Sequence, residues 1–485
     1  MASTDTSRPN ILFILSDDQG HWAMNCAGTP ELNTPNLDRL AATGIRFENF
    51  FCASPVCSPA RASILTGQMP SQHGVQDFLR AGNSVNLPGD GKTVQYLEGR
   101  TTYTQILADN GYACGLSGKW HLGDSATPQT GFEYWNVHAT GSGNYFNAPM
   151  FKDGDLYTAD GYFSDVITDH AIEFMESQLD SDNPFSLNVH FTAPHAPWGP
   201  EQHPSEIYDD YYQNCAFESV RWDPIHPNHL AKEGSSGSVG TTAEERRQLL
   251  SGYFAAVTGM DSNIGRLIDW MEENGLRENT LIVFTADNGM NMGHHGIWGK
   301  GNGTYPPNMF DTAVKVPTLI SRPGHVPVGV VDESLLSHYD FMPTLLEYAG
   351  LSDAQPTDGD RPGRSFVPLM RGTSMGINRP VVVLDEYGPT RMIRTESLKY
   401  VHRYPDGPYE LYDLVGDPEE TNNEIDNPTF AGAISELRGQ LEQWFARYTE
   451  AERDGRKQAV KGRGQLDAIG KPDPFAQDVA YLRDT

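Results

Sequence analysis

The sequence predicts an α/β protein: a large, mostly parallel mixed sheet flanked by helices, followed by a smaller unit of antiparallel sheet and one helix. Three observations carry this. Short continuous apolar runs, typical of strands buried on both faces, lie far apart in the chain. Helical patterns fill the stretches between them, the alternation expected of a parallel sheet. Beyond about residue 375 short strands separated by turn residues take over.

The first run is Asn10-Ile-Leu-Phe-Ile-Leu-Ser16, which ends in Asp17-Asp18. A helix is expected over 36–43 before Gly44, another over 93–110 before Gly111, and others over 163–178 and over 244–273 before Gly275, with glycine as the C-cap. A second buried strand, 184–191, leads into Ala193-Pro194-His195, and a third, 281–285, into Ala286-Asp287-Asn288-Gly289. Ligand sites in open α/β sheets form at such carboxyl ends. Residues 224–242, rich in Pro, His, Gly and Ser, read as a surface loop or an insertion near a pocket mouth. Strands are expected over 379–385, 391–395, 398–402 and 409–412, then a helix near 430–448 and, from Glu450, a polar tail that wraps the fold or faces a partner. The chain so divides into a catalytic unit, residues 1–375, and a C-terminal subdomain, 376–485.

Sixty-four acidic against 35 basic residues give a net charge of −29, which repels nucleic acid and anionic membranes. An anionic substrate then requires a locally basic pocket. No apolar stretch approaches the ~20 residues that cross a bilayer. The opening Met1-Ala-Ser-Thr-Asp lacks a basic segment and an apolar core, which predicts a cytoplasmic chain, with periplasmic or secreted placement as the alternative once a signal is removed. Five cysteines, sparse and odd in number, fit a reducing compartment better than a disulfide framework.

The chemistry concentrates around Cys57-Ser-Pro59-Ala-Arg61, followed by Leu65-Thr66-Gly67. This C-x-P-x-R run with its downstream L-T-G resembles the signature of the formylglycine-dependent (type I) sulfatases of the alkaline phosphatase superfamily. The resemblance implies that a maturation enzyme oxidises Cys57 to an aldehyde, which hydrates to a gem-diol nucleophile. A sulfated serine would be a dead end, whereas a sulfated gem-diol collapses to the aldehyde and expels sulfate. The same resemblance implies a divalent cation on Asp17, Asp18, Asp287, Asn288 and the modified Cys57. These are hard oxygen donors, which favours calcium, with magnesium as the alternative.

Further segments match the family in order. Gly118-Lys119-Trp120-His121-Leu122-Gly123 implies Lys119 on sulfate and aldehyde hydrate, and His121 as the base that assists collapse. Arg61, one helical turn after Cys57, is implied to hold the diol and a metal-ligand carboxylate. His195 in Pro194-His195-Ala196-Pro197-Trp198 and Lys300 in Gly299-Lys300-Gly301 are implied to reach the leaving oxygen, and either is the general acid. Glu410-Leu-Tyr-Asp-Leu414 with Asp417-Pro418-Glu419 continues the match into the C-terminal part.

Ser142, in Gly141-Ser142-Gly143, is a further candidate beside His195 and Lys300, and aromatic and imidazole side chains that would suit a sugar are His21, Trp22, His73, His138, Tyr145, Trp198, His294, His295 and Trp298. Their abundance favours an exo-acting sulfatase on a sulfated carbohydrate, its substrate a small-molecule or oligosaccharide sulfate ester. An arylsulfatase and a phosphonate or phosphate monoester hydrolase are the alternatives. The maturation enzyme is the one expected protein partner; oligomeric state is open.

Overall fold

The computed structural model describes residues 8–79, 93–229, 239–357, 359–376, 379–385, 389–457 and 464–469. Its organising strand is β1, Asn10–Ser16, buried along its whole length. Ile11, Phe13 and Leu15 pack into one hydrophobic core and Leu12 and Ile14 into another, so alternate residues of one strand found the two layers. This is why the strand is apolar at every position rather than at every second one.

The remaining strands, in chain order, are β2 (Ile45–Phe47), β3 (Phe50–Phe51), β4 (Ala113–Gly118), β5 (Tyr134–His138), β6 (Pro149–Lys152), β7 (Asp155–Thr158), β8 (Phe185–His190), β9 (Thr280–Ala286), β10 (Thr318–Ser321), β11 (Val330–Asp332), β12 (Leu336–Ser337), β13 (Val381–Leu384), β14 (Thr390–Arg394), β15 (Leu398–Arg403) and β16 (Glu410–Asp413). Ten of them form one mixed sheet in the order β11-β2-β10-β9-β1-β8-β4-β5-β6-β7. Its centre, β9-β1-β8-β4-β5, is parallel throughout. β1 lies between β9 and β8, both reached much later in the chain, and its carboxyl end opens a crevice where side chains from several crossovers converge.

A separate four-stranded antiparallel sheet, β13-β14-β15-β16, carries the Ala431–Arg447 helix on its apolar face through Leu437, Leu441 and Phe445. It docks on the large unit through Ala53, Met69 and Tyr339, and the Leu384 amide donates to the Ala53 carbonyl at 3.1 Å. The described part of the tail folds back over residues 72–79: Arg453 Nη1 donates to the Gln72 carbonyl at 2.6 Å and the Gln465 amide to the Phe78 carbonyl at 2.9 Å. The expected wrapping arm is present there.

Two expectations need correction. The helix over 93–110 is shorter, Tyr103–Asp109, because Thr102 caps it by accepting from the Gln105 amide and Gly99 turns the preceding chain at φ +75°. The central strand β4 was not foreseen. Its two glycines lower strand propensity, yet Gly115 faces Phe174 and Leu187, and at Gly118 (φ +109°) a Cβ would stand 2.0 Å from the His190 carbonyl oxygen. Close packing, not propensity, selects glycine there. Residues 230–238 of the expected loop lie outside the described residues; around them His226, Asn228 and His229 bond to Gly296, Tyr305 and Trp298.

Candidate active site

Backbone hydrogen bonds stitch four carboxyl ends together. The Lys119 amide donates to His190 (2.8 Å), Phe191 to Leu15 (2.8 Å), Asp17 to Ala193 (3.0 Å) and Asp287 to Ser16 (3.1 Å). The residues after β4, β8, β1 and β9 thus share one rim. The Cys57–Thr66 helix closes it from above, fully buried, with Cys57 in its first turn and no side chain capping its amides.

Three buried cation–carboxylate pairs fill the rim. Lys119 Nζ donates to Asp17 Oδ2. Arg61 Nε donates to Asp287 Oδ2 at 2.9 Å, and its Nη1 to the Lys119 carbonyl at 3.1 Å. Lys300 Nζ donates to Asp18 Oδ1 at 2.6 Å and to Cys57 Sγ at 3.0 Å. The Asp18 amide donates to Asp287 Oδ1 at 3.1 Å, and Asn288 Nδ2 to Asp18 Oδ1 at 2.8 Å. The locally basic groups demanded of an anion site are therefore present inside a chain of net negative charge.

Crowding and burial set the protonation states. Burial, with Asp287 reinforcing it, raises the Asp17 carboxyl to about 6 in spite of Lys119. For Asp18 burial is outweighed by Lys300, which holds the carboxyl below its ordinary value. Asp287 is held well below its ordinary value, with Arg61 the largest force against burial. Burial likewise opposes the Lys300 ammonium, but Asp18 and its neighbours overcome it and keep the group charged. Burial pushes the Cys57 thiol up to about 12 against the pull of Lys119 and Lys300, so at neutral pH the sulfur is a thiol and a weak nucleophile.

The two histidines stand apart. His195 Nδ1 lies 2.6 Å from the Ala196 carbonyl, an acceptor, so Nδ1 carries the hydrogen and Nε2 is left facing Asp18 Oδ2 at 3.6 Å. Its side chain is partly exposed, which places it at the mouth. His121 is buried, with Nε2 donating to the Leu79 carbonyl at 2.8 Å and Nδ1 without a partner among the described residues. Burial, then Lys119, keeps it well below its ordinary value and hence neutral, with Nδ1 as its basic atom. It makes no hydrogen bond to the carboxylate cluster among the described residues.

Oxygen donors for a cation are preformed. Ligating atoms of Asp17, Asp18 and Cys57 all lie within 4.8 Å of one another. Asp17 Oδ1 and Asn288 Oδ1 are buried and lack a partner among the described residues, an arrangement that costs roughly 1–3 kcal/mol each unless something accepts their lone pairs. A hard divalent ion fits that donor set.

Most of the proposed sugar-facing residues have structural roles. His73 bonds Ser63 Oγ at 3.0 Å inside the core, Trp22 Nε1 donates to the Met290 carbonyl, Trp198 Nε1 to the Pro194 carbonyl, and His295 stacks on Phe310 at 3.8 Å. His138 Nδ1 bonds the Thr140 segment, His294 Nδ1 the Asn291 carbonyl, and buried Trp298 donates its amide to His229 Nε2. Ser142 is exposed, and His21 Nδ1 is buried without a partner among the described residues. Tyr145 does bear on the site, its hydroxyl donating to the His195 carbonyl at 2.7 Å. Sequence reasoning missed His190, which bonds the Lys119 carbonyl at 3.1 Å, and Tyr253, whose hydroxyl bonds Asp18 and Gly20. His190 at a strand end was a readable signal; Tyr253, in mid-helix, offered none.

The family model described as Sulfatase matches residues 9–351, and that described as N-sulphoglucosamine sulphohydrolase, C-terminal, matches residues 293–447. The chain is 28% identical to an N-acetylglucosamine-6-O-sulfatase of Bacteroides thetaiotaomicron, over 95% of this chain and 90% of that one. It is 30% identical to an ulvan-active sulfatase of Formosa agariphila, over 91% and 82%. Among solved structures, BT4656 in complex with its substrate D-glucosamine-2-N,6-O-disulfate superposes with a TM-score of 0.74 at 26% identity, covering 92% of this chain and 99% of that one. Fold, rim and both family matches agree: the chain belongs to the sulfatase family of the alkaline phosphatase superfamily and is a sulfuric ester hydrolase.

Proposed function

We propose that this sulfatase removes sulfate from a sulfated saccharide, acting at a chain end, with Cys57 converted to formylglycine as nucleophile and calcium or magnesium held by Asp17, Asp18, Asp287 and Asn288. The observation that carries this is the meeting of Cys57 Sγ with Lys300 Nζ at 3.0 Å beside the Asp17 and Asp18 carboxylates. The buried thiol itself is too basic to serve as a thiolate, which supports its replacement by an aldehyde. Relatives whose names specify N-acetylglucosamine 6-sulfate and ulvan, and a solved neighbour holding a glucosamine disulfate, support a saccharide.

When bound, the divalent ion offsets the carboxylates and polarises a sulfate oxygen. The chain's own groups then divide the work. Arg61 fixes the Asp287 carboxylate, Lys119 and Lys300 hold the anion and the hydrated aldehyde, and His121 accepts a proton at Nδ1. His195, as the imidazolium with hydrogen on both ring nitrogens, gives its Nε2 proton to the leaving oxygen and is left neutral with Nδ1–H on the Ala196 carbonyl: Lys300 is committed to Asp18 and Cys57, whereas the His195 ring stands at the mouth with Nε2 turned inward.

Two measurements test the reading. The peptide containing Cys57, from protein made in a host with the maturation machinery, should be lighter by the difference between CH2SH and CHO. The same protein should release sulfate from D-glucosamine 6-sulfate faster than it cleaves a matched phosphate or phosphonate ester; the opposite ranking rejects the sulfated-sugar assignment.

A further inference from the structure

Beside the His195 loop lies a cleft of about 520 Å³ that the reaction above does not use. Its floor is Pro197 and Trp198, its walls Tyr208, Asp209 and Tyr212 from the Ser205–Asn214 helix and Gln248 from the Ala243–Glu273 helix. Tyr208 and Tyr212, four residues apart, share a helix face, their rings 6.0 Å apart and within 14° of parallel. Tyr208 is buried beneath its neighbours, so the half-exposed ring of Tyr212 is the aromatic face the cleft offers, its hydroxyl anchored on Glu244. Glu245 also borders the cleft, but its carboxylate is committed to Thr241 and Thr242. The Asp209 carboxylate is exposed and, among the described residues, without a hydrogen bond or ion pair.

We propose that this cleft is a second carbohydrate site that takes an unsulfated sugar ring, neutral or carrying a protonated amine. An aromatic face beside a carboxylate and an amide is what a sugar ring uses: C–H groups stack on Tyr212, and hydroxyls or an ammonium donate to Asp209 and to Gln248 Oε1, whose amide nitrogen is already held on Glu244. The volume admits such a ring with solvent to spare. Sulfate is excluded because, unlike the catalytic rim with Lys119, Lys300 and Arg61, the cleft contains no lysine or arginine and is bordered by two carboxylates. Pro197 stands two residues after His195, so the cleft borders the same loop that carries His195.

The choice of a sugar rests on the saccharide reading above, and the test separates the two. Full-length Cys57→Ala protein, which cannot turn over substrate, is titrated calorimetrically with D-glucosamine, methyl glucoside and D-glucosamine 6-sulfate. Tyr212→Ala, at a half-exposed ring on the rim of the core, should weaken both unsulfated sugars about tenfold, the scale of one lost aromatic stack. Asp209→Asn should weaken glucosamine and spare the glucoside, and neither change should alter the affinity for the 6-sulfate. Unsulfated sugars that do not bind, or bind equally well to Tyr212→Ala protein, overturn the cleft assignment whatever the enzyme hydrolyses. Failure of the saccharide reading would appear instead as turnover of aryl or phosphonate esters alone. In enzyme with Cys57 intact, a KM raised by Tyr212→Ala for a sulfated oligosaccharide but not for the monosaccharide marks the ring as part of the same substrate chain; an unchanged KM with the binding loss marks a separate sugar.

Discussion

The Tyr253 hydroxyl donates to the Asp18 carbonyl at 3.1 Å while accepting from the Gly20 amide at 3.0 Å. Asp18 needs this clamp because its φ of +60° is left-handed, a conformation that costs a non-glycine residue about 1–2 kcal/mol. Tyr253 also packs on Trp22 and Trp198, so one mid-helix side chain fixes the carboxylate loop against the His195 loop. Tyr253→Phe should lose about 1–3 kcal/mol of stability by leaving two buried backbone groups unsatisfied. Loosened geometry at Asp18 should lower kcat on the order of a hundredfold. Thermal unfolding and steady-state kinetics check both; wild-type values in each would show that the clamp is dispensable.

Arg61 and Asp287 form a pair that water does not reach. Arg61→Ala strands a buried carboxylate and should cost roughly 3–5 kcal/mol. Removing Asp287 as well takes away the stranded charge, so the double variant should be far less destabilised than the sum of the single ones. Denaturant unfolding of all four proteins measures the coupling, and additive losses would contradict it.

If His195 protonates the leaving oxygen, its loss should matter in proportion to leaving-group basicity. His195→Ala should lower kcat/KM for a sugar sulfate by about 10²–10⁴ and for nitrophenyl sulfate far less. Lys300→Ala, which removes a group held on Asp18 and Cys57, should depress both substrates alike. A reversal of these patterns assigns the proton to Lys300.

Lys399, on β15, is buried between Asp311 of the large unit and Glu420 of the small one. Burial raises the Glu420 carboxyl from 4.5 to about 7, with Lys399 opposing and Asp311 adding to it. A carboxyl raised on folding favours the native state most below its unfolded value, and that contribution disappears as pH climbs from 4.5 through about 7. Asp311, held well below its ordinary value, acts only at lower pH. Glu420→Gln keeps an oxygen for the Asp311 amide and should flatten the decline of stability between pH 5 and pH 7.5. An unchanged slope in denaturant titrations at those two pH values would refute this.

What was legible in the sequence was whatever burial writes into composition. β1 and β9 are apolar on both faces and β8 on one, and the acids after β1 and β9 announce the crevice. β4 was hidden, although it positions Lys119, because its glycines answer to the His190 carbonyl, Phe174 and Leu187, neighbours known only after folding. The rim residues were read from separate motifs, yet their pairing is tertiary: Arg61 meets Asp287 across 226 positions and Lys300 meets Cys57 across 243. The sugar-facing aromatics were over-read for the same reason. A tryptophan or histidine in a sequence does not say whether its ring faces a ligand or, as with Trp22 and His73, a neighbour in the core.

The burial of Cys57 imposes a timetable. Its side chain is 4% exposed, at the start of a helix that is buried throughout, behind Lys300 and beneath the segment that receives Leu384 of the small sheet. Another protein cannot bring an active site to that sulfur once the sheet has docked. Any enzymatic rewriting of Cys57 belongs to the interval before the chain closes, and a molecule that folds first keeps its thiol for the rest of its life.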